Sequence, residues 1–255
     1  MPLNPFVKKL RFWLPLDDDN KEAILALPHS VREMQPGQMM VWEGERPTHS
    51  CVLLSGYAYR QKSAGNGGRQ ILSIHMQGDP VDLHNSLLGR ADHNVQALTQ
   101  VRAAFIPVGA IRALWLSHPA AAMAMWYDTL VDGSVFREWT LNIGRRDART
   151  RLAHLLCEFA VRLEAAGLGD HSHYELPMTQ EQLADATGLT SVHVNRTLMK
   201  LEADGLILRT KRSVRINDWE QLALAGDFDP AYLHLDKHSD DATSPWSLET
   251  RAPFA

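Results

Sequence analysis

The chain has 255 residues, a formal net charge of −4, 45% hydrophobic residues and 22% charged residues. That is an ordinary globular composition with room for one large or two modest domains. Its two cysteines, Cys51 and Cys157, exclude a disulfide framework, a four-cysteine zinc site and a four-cysteine iron–sulfur site.

The first hundred residues read as β structure. Runs at Met39–Trp42, Cys51–Leu54, Gln70–His75 and Val101–Pro107 are rich in apolar and β-branched residues. Turn signals separate them: Pro36-Gly37, Glu43-Gly44, Ser55-Gly56, Gly65-Asn66-Gly67-Gly68 and Gly78-Asp79. Many short strands at this spacing predict an antiparallel barrel or jelly roll, which removes exposed sheet edges. Leu83–Gly89 reads as a short helix inside it, and Asp17-Asp18-Asp19 as a solvated helix start.

From Gly109 the apolar period lengthens to that of a helix. Pro119 suits a helix start, because its missing N–H falls among donors that have no partner there. The predicted helix runs to Ile143. A stripe of Ala122, Met125, Trp126, Thr129, Gly133, Phe136 and Thr140 along it has the 3–4 spacing of a two-stranded seam, with Gly133 allowing close backbone approach. The alternative reading of the same stripe is a face packed on the chain's own barrel. Ile143-Gly144 reads as a hinge, and the next helix, Arg146–Ala166, ends at Gly167. The most apolar stretch, 113–127, is broken by Ser117, His118 and Pro119 and is too short to span a bilayer. No basic segment followed by an apolar run opens the sequence, so a cytoplasmic location is expected.

Residues 178–207, MTQEQLADATGLTSVHVNRTLMKLEADGLI, carry the strongest signal. Thr179 and Gln182 form a capping box that starts a helix to about Thr187, and Gly188 supplies a tight turn. Thr190 then caps a second helix, about Ser191–Asp204, closed by Gly205. Leu183, Ala184, Leu189, Val194, Leu198 and Leu201 fall where the two helices face each other and a core. This is a helix–turn–helix, the unit that lays its second helix in a DNA major groove. The alternation around Leu206-Ile207-Leu208 and Val214-Arg215-Ile216 predicts a β-hairpin wing. It carries Arg209, Lys211, Arg212 and Arg215, a cluster that draws phosphate despite the acidic total. Asp218 caps a short helix, Trp219–Ala225, and the apolar residues of 228–235 are expected to pack back on the winged domain. From about 236 the polar, acidic composition reads as disordered.

Gly44–Arg60, GERPTHSCVLLSGYAYR, and the helix–turn–helix together resemble the CRP/FNR family of bacterial transcription regulators over about residues 12–220. The resemblance implies an α+β architecture. Its parts are an N-terminal antiparallel β-roll of the cyclic-nucleotide-binding type (1–118), a long dimerisation helix and hinge (119–144), a C-terminal winged helix–turn–helix (145–220) and a C-terminal extension (221–255). It implies a homodimer on a palindromic double-stranded operator, acting through RNA polymerase. Matched to the family motif, Val192, Asn195 and Arg196 face base edges. Thr179, Gln180, Thr190, Ser191 and His193 hold phosphates, with Arg209, Lys211 and Arg212 on the wing.

Cyclic-AMP binders of the family carry a Gly-Glu pair and, about ten residues on, an Arg-Ser or Arg-Thr pair. Here Asp82-Leu83 and the neighbourhood of Asp92 stand in those places, with Arg90 nearby, so the effector pocket is expected to be degenerate and unresponsive to cyclic AMP. The family's iron–sulfur sensors need N-terminal cysteines, and residues 1–50 have none. His75, His84 and His93 fall nine residues apart, a spacing of no fixed structural meaning, and His171/His173 flank Ser172. They are read as exposed or hydrogen-bonded, and no metal or cofactor is predicted. No catalytic motif is present, so an enzyme is not expected. The competing functional reading is a scaffolding or small-molecule-binding protein whose barrel engages a protein partner, with DNA binding secondary.

Overall fold

The computed structural model describes residues 1–235, so the expectation for the acidic tail from about 236 lies outside the described residues. The chain opens with two helices, α1 (Asn4–Trp13) and α2 (Asp18–Leu25), of which the first was not expected. The signal was there: Leu3, Phe6, Val7, Leu10 and Trp13 recur at helical spacing and are all buried. Asp17 caps α2 by accepting the Asn20 backbone N–H at 2.8 Å, the helix start anticipated at the carboxylate run.

Seven strands build the roll: β1 (Ser30–Met34), β2 (Met39–Val41), β3 (His49–Ser55), β4 (Ala58–Ser63), β5 (Arg69–His75), β6 (Asn94–Ala97) and β7 (Val101–Pro107). They form two antiparallel sheets, in the orders β1-β7-β3 and β2-β6-β4-β5. Of the strands not anticipated, β4 and β6 have too many polar residues to read as apolar runs. β3 and β7 are buried on both faces because alternate residues serve different cores. Cys51, Leu53, Ala103 and Phe105 fill the roll interior, whereas Val52, Leu54, Ala104 and Ile106 pack under α1. The short helix α3 (Asn85–Leu88) sits between β5 and β6 and closes on Gly89.

Helix α4 (Val108–Ser117) leads to α5 (Pro119–Arg145), broken at His118 because Pro119 cannot extend the hydrogen-bond ladder. The 27 residues of α5 make a rod about 40 Å long. The expected hinge at Ile143-Gly144 is displaced. The helix runs through both residues and breaks at Arg146, whose guanidinium is pinned to Glu138 at 2.7 Å and Asp227 at 2.9 Å. Asp147 then caps α6 (Ala148–Ala166), which closes on Gly167.

Beyond α6 come β8 (His173–Glu175), α7 (Gln180–Thr187), α8 (Ser191–Ala203), β9 (Ile207–Thr210), β10 (Ser213–Ile216) and α9 (Trp219–Ala225). The wing is a three-stranded antiparallel sheet in the order β8-β10-β9, one strand more than expected. Gly226 must be glycine, because a Cβ there would lie 2.7 Å from the His154 backbone nitrogen. The segment after it folds back as anticipated: the Tyr232 hydroxyl donates to buried Glu158 at 2.7 Å, which also accepts from the Trp139 indole.

Roll and winged domain share one core. Tyr59, Ile71, Ile74 and Met76 pack in the same cluster as Leu156, Phe159, Leu183 and Leu198. Arg69 bridges β5 to Asp185 of α7 at 2.6 Å, so the helix–turn–helix is held against the roll hairpin. No helix among the described residues is long and apolar enough to cross a membrane.

Candidate nucleic-acid interface

The helix–turn–helix forms through local hydrogen bonds. The Thr179 hydroxyl accepts the Gln182 N–H at 3.2 Å while the Gln182 side chain accepts the Thr179 N–H at 2.8 Å. Gly188 turns the chain at φ +65°, and the Thr190 hydroxyl accepts the His193 N–H to start α8. Val194, Thr197, Leu198 and Leu201 bury one face of α8 against α6 and α7.

The opposite face is open. Val192 is 79% exposed, and Asn195 and Arg196 lie beside it in solvent. These three share one stripe at i, i+3 and i+4. The stripe continues at i+7 to Met199 and then Lys200, both exposed and both missed in the sequence; the same helical spacing points to them. Gln180 Nε2 donates to Asn195 Oδ1 at 3.1 Å, tying the start of α7 to the middle of α8. Thr179 and Thr190 are exposed at the two helix starts, with Ser191 and His193 half-buried after the second. Hydroxyls and N–H groups at helix N-termini are suited to hold phosphate oxygens.

The wing divides its charges. Lys211 and Arg212 occupy the exposed turn between β9 and β10, and Arg215 is exposed on β10. Arg209, expected to join them, is withdrawn: its guanidinium pairs with Glu202 at 2.7 Å, and its backbone N–H donates to the same carboxylate. It clamps the wing to the end of α8. Lys211→Ala/Arg212→Ala should therefore lower the slope of log affinity against log salt by about two and weaken all sequences alike. Arg209→Ala should instead lower thermal stability with the slope nearly unchanged. An unchanged slope in the double variant would move the turn off the DNA.

On α5 the anticipated stripe splits. Trp126 is 59% exposed and Phe136 50%, Thr140 is exposed, and Ala122, Thr129 and Gly133 are half-exposed. Met125 turns the other way. It is 1% exposed, packs with Leu10, Leu54 and Ala121, and receives the Trp115 indole N–H on its sulfur. The outward face instead adds Met123, Leu130 and Leu141.

The four residues assigned to a degenerate effector pocket do not share one. Asp82 is fully buried and its Oδ1 accepts from the Ser50 hydroxyl at 2.8 Å and the Cys51 N–H at 2.9 Å, so it braces β3. Burial pushes its carboxyl up to about 6, against the lowering by those two donors. Leu83 packs in the cluster beneath α1, the Arg90 guanidinium donates to the Gly44 carbonyl, and exposed Asp92 accepts from His93. What faces this region is Arg60, donating to the Val81 carbonyl and ion-paired with Asp132 of α5. Cys51 and Cys157 are buried, and burial holds both thiols up, Cys157 at about 12.

Comparisons with known proteins agree with this geometry. The family profile of the cyclic nucleotide-binding domain matches residues 31–118, and that of the Crp-like helix-turn-helix domain matches residues 150–225. The chain is 28% identical over 211 residues to the transcriptional activator protein FnrL of Cereibacter sphaeroides, covering 80% of this chain and 84% of that protein. It is 29% identical over 168 residues to the nitrogen fixation regulation protein FixK of Azorhizobium caulinodans, covering 66% and 67%. The structure of FixK2 from Bradyrhizobium japonicum shares the fold, with a TM-score of 0.71 at 20% identity over 78% of this chain and 98% of that one.

Proposed function

The chain belongs to the CRP/FNR family of transcription regulators, and from that premise we propose a homodimeric, sequence-specific DNA-binding regulator of the cytoplasm. The observation that carries this reading is the open stripe of Val192, Asn195 and Arg196 on α8, bordered by Lys211 and Arg212 of the wing. In this division of labour residues 1–118 sense, 119–144 dimerise and 145–220 read DNA. Thr179, Gln180, Thr190, Ser191, His193, Lys211 and Arg212 position the phosphates. Two copies related by a two-fold axis present their α8 helices one DNA turn apart and read a palindrome. The relatives' description as activators supports RNA polymerase as the further partner.

Genome-wide mapping of bound sites tests the reading. A motif with two inverted half-sites spaced by one helical turn is expected. Absence of DNA binding even at low salt would favour the barrel as a docking module for another protein.

The sensing chemistry follows from the same residues. With Asp82 turned into β3, Arg60 neutralised by Asp132 and exposed Arg90 anchored through its Nε on the Gly44 carbonyl, these groups do not converge on a site for a cyclic phosphodiester. Two buried cysteines cannot supply four thiolates to an iron–sulfur cluster. Millimolar cyclic AMP or cyclic GMP should leave the melting temperature and DNA affinity unchanged. A ligand at one hundred times its dissociation constant would add about 2.7 kcal/mol, a rise easily seen by melting.

A further inference from the structure

Three residues on the loop structure between β5 and β6 meet although the sequence gives them no metal-site spacing. His84 and His93 face each other with ring centroids 5.3 Å apart. Candidate ligand atoms of His84, Asp92 and His93 all lie within 4.8 Å of one another. Asp92 Oδ1 lies 2.6 Å from His93 Nδ1, and a carboxylate can only accept, so Nδ1 carries the proton and Nε2 keeps its lone pair. His93 is 5% exposed, and Nε2 is buried without a hydrogen-bond partner among the described residues. A carboxylate holding one imidazole nitrogen so that the other is free is the arrangement that orients a histidine toward a metal ion.

We propose that His84 and His93 bind a divalent first-row transition-metal ion, with Asp92 orienting His93 and balancing charge. Two imidazoles are borderline ligands that suit zinc, cobalt or nickel and leave coordination positions open to water or a small molecule. The carboxylates of Asp92, Asp132 and Glu43 face the cations of Arg60 and Lys62, the Lys62 ammonium also donating to the Asp92 carbonyl, which leaves one negative charge in excess among these groups. Buried polar atoms of Asn85 and Ser86, next to His84 and without a partner among the described residues, show that this corner of the roll is polar. Arg60 links it to the long helix by holding the Val81 carbonyl with one edge and Asp132 with the other. An ion beside Arg60 therefore bears on α5 by charge repulsion. This departs from the sequence expectation of no metal, which rested on the spacing of nine.

The test uses the full chain, stripped with a chelator and titrated with cobalt(II), read by its visible absorption and by equilibrium dialysis with zinc(II). One equivalent per chain is expected for the wild type, with a rise in melting temperature on loading. His84→Asn and His93→Asn should each lose the cobalt band and the thermal rise. Asp92→Asn, at an exposed position that leaves the core intact, should weaken binding about 10- to 100-fold. Glu164, Asp170 and His171 form a second, solvent-exposed group with ligand spacing, so His171→Asn serves as the control. It should keep the full equivalent. Retention of the equivalent in the His84→Asn/His93→Asn double variant, or its loss only in His171→Asn, would overturn the proposal. So would failure of the folded wild type to bind either ion. The readout is independent of DNA binding, so its failure leaves the regulatory reading untouched.

Discussion

Gly133→Glu should yield a folded monomer that binds a palindromic operator roughly 10²- to 10⁴-fold more weakly than the wild type, the advantage lost when a second half-site no longer sees its partner at high effective concentration. The face of α5 turned away from the roll carries Met123, Trp126, Leu130, Gly133, Phe136 and Thr140 at three- and four-residue spacing, with Leu141 alongside. Such a run of exposed aromatic and aliphatic groups marks a surface made to be covered, and its period is that of a helix pair. Gly133 stands at its centre, where a Cβ would meet only the Arg137 guanidinium at 3.5 Å. Glutamate therefore fits the isolated chain and raises helix propensity by about 0.5 kcal/mol. Across a two-fold axis, however, it sets two carboxylates against each other in a close contact. Met125→Glu is the contrasting variant: its side chain is buried in its own protomer, so it should unfold the chain rather than split the dimer. Sedimentation showing an intact dimer for Gly133→Glu would refute the seam.

The winged half was legible because its signals are local. A capping box, a glycine turn, a second threonine cap and Asp218 each act within four residues, and each was readable as a string. The roll was legible as strands wherever apolar runs marked them, as at β7, and not where one face is polar, as at β4. Met125 and Trp126 both fit one helical stripe. Only the position of the roll and α1 decides that the first is core and the second is surface. Arg209 is the same kind of case: its pairing with Glu202 depends on β9 returning beside the end of α8, a register that no local pattern encodes. Asp82 and Arg90 were placed in a pocket by family spacing, and their hydrogen bonds to β3 and to Gly44 are tertiary facts. The meeting of His84 with His93 is tertiary as well, since α3 and the turn before β6 bring them together.

Arg196→Ala should cost about 1–3 kcal/mol on the cognate operator and leave binding to random DNA nearly intact. Arg196 projects from the exposed face of α8 and makes no ion pair with a described residue, in contrast to Arg209. A free guanidinium on a recognition helix can donate two parallel hydrogen bonds to the O6 and N7 of a guanine, a pattern that no other base pair offers in the major groove. Its neighbours fix the register. Asn195 is oriented by Gln180 at 3.1 Å, and Val192, one turn earlier and apolar, suits contact with a thymine methyl. In the proposed binding mode Lys211, Arg212 and the helix starts would hold random DNA through phosphate contacts, which this substitution does not touch. Fluorescence anisotropy on both DNAs over a salt series separates the two roles: the cognate loss should come without a change in salt slope. Lys200→Ala, one turn further on along the same exposed face, provides the comparison. Equal losses on cognate and random DNA, with the slope reduced by about one, would make Arg196 a phosphate contact and take base reading away from it.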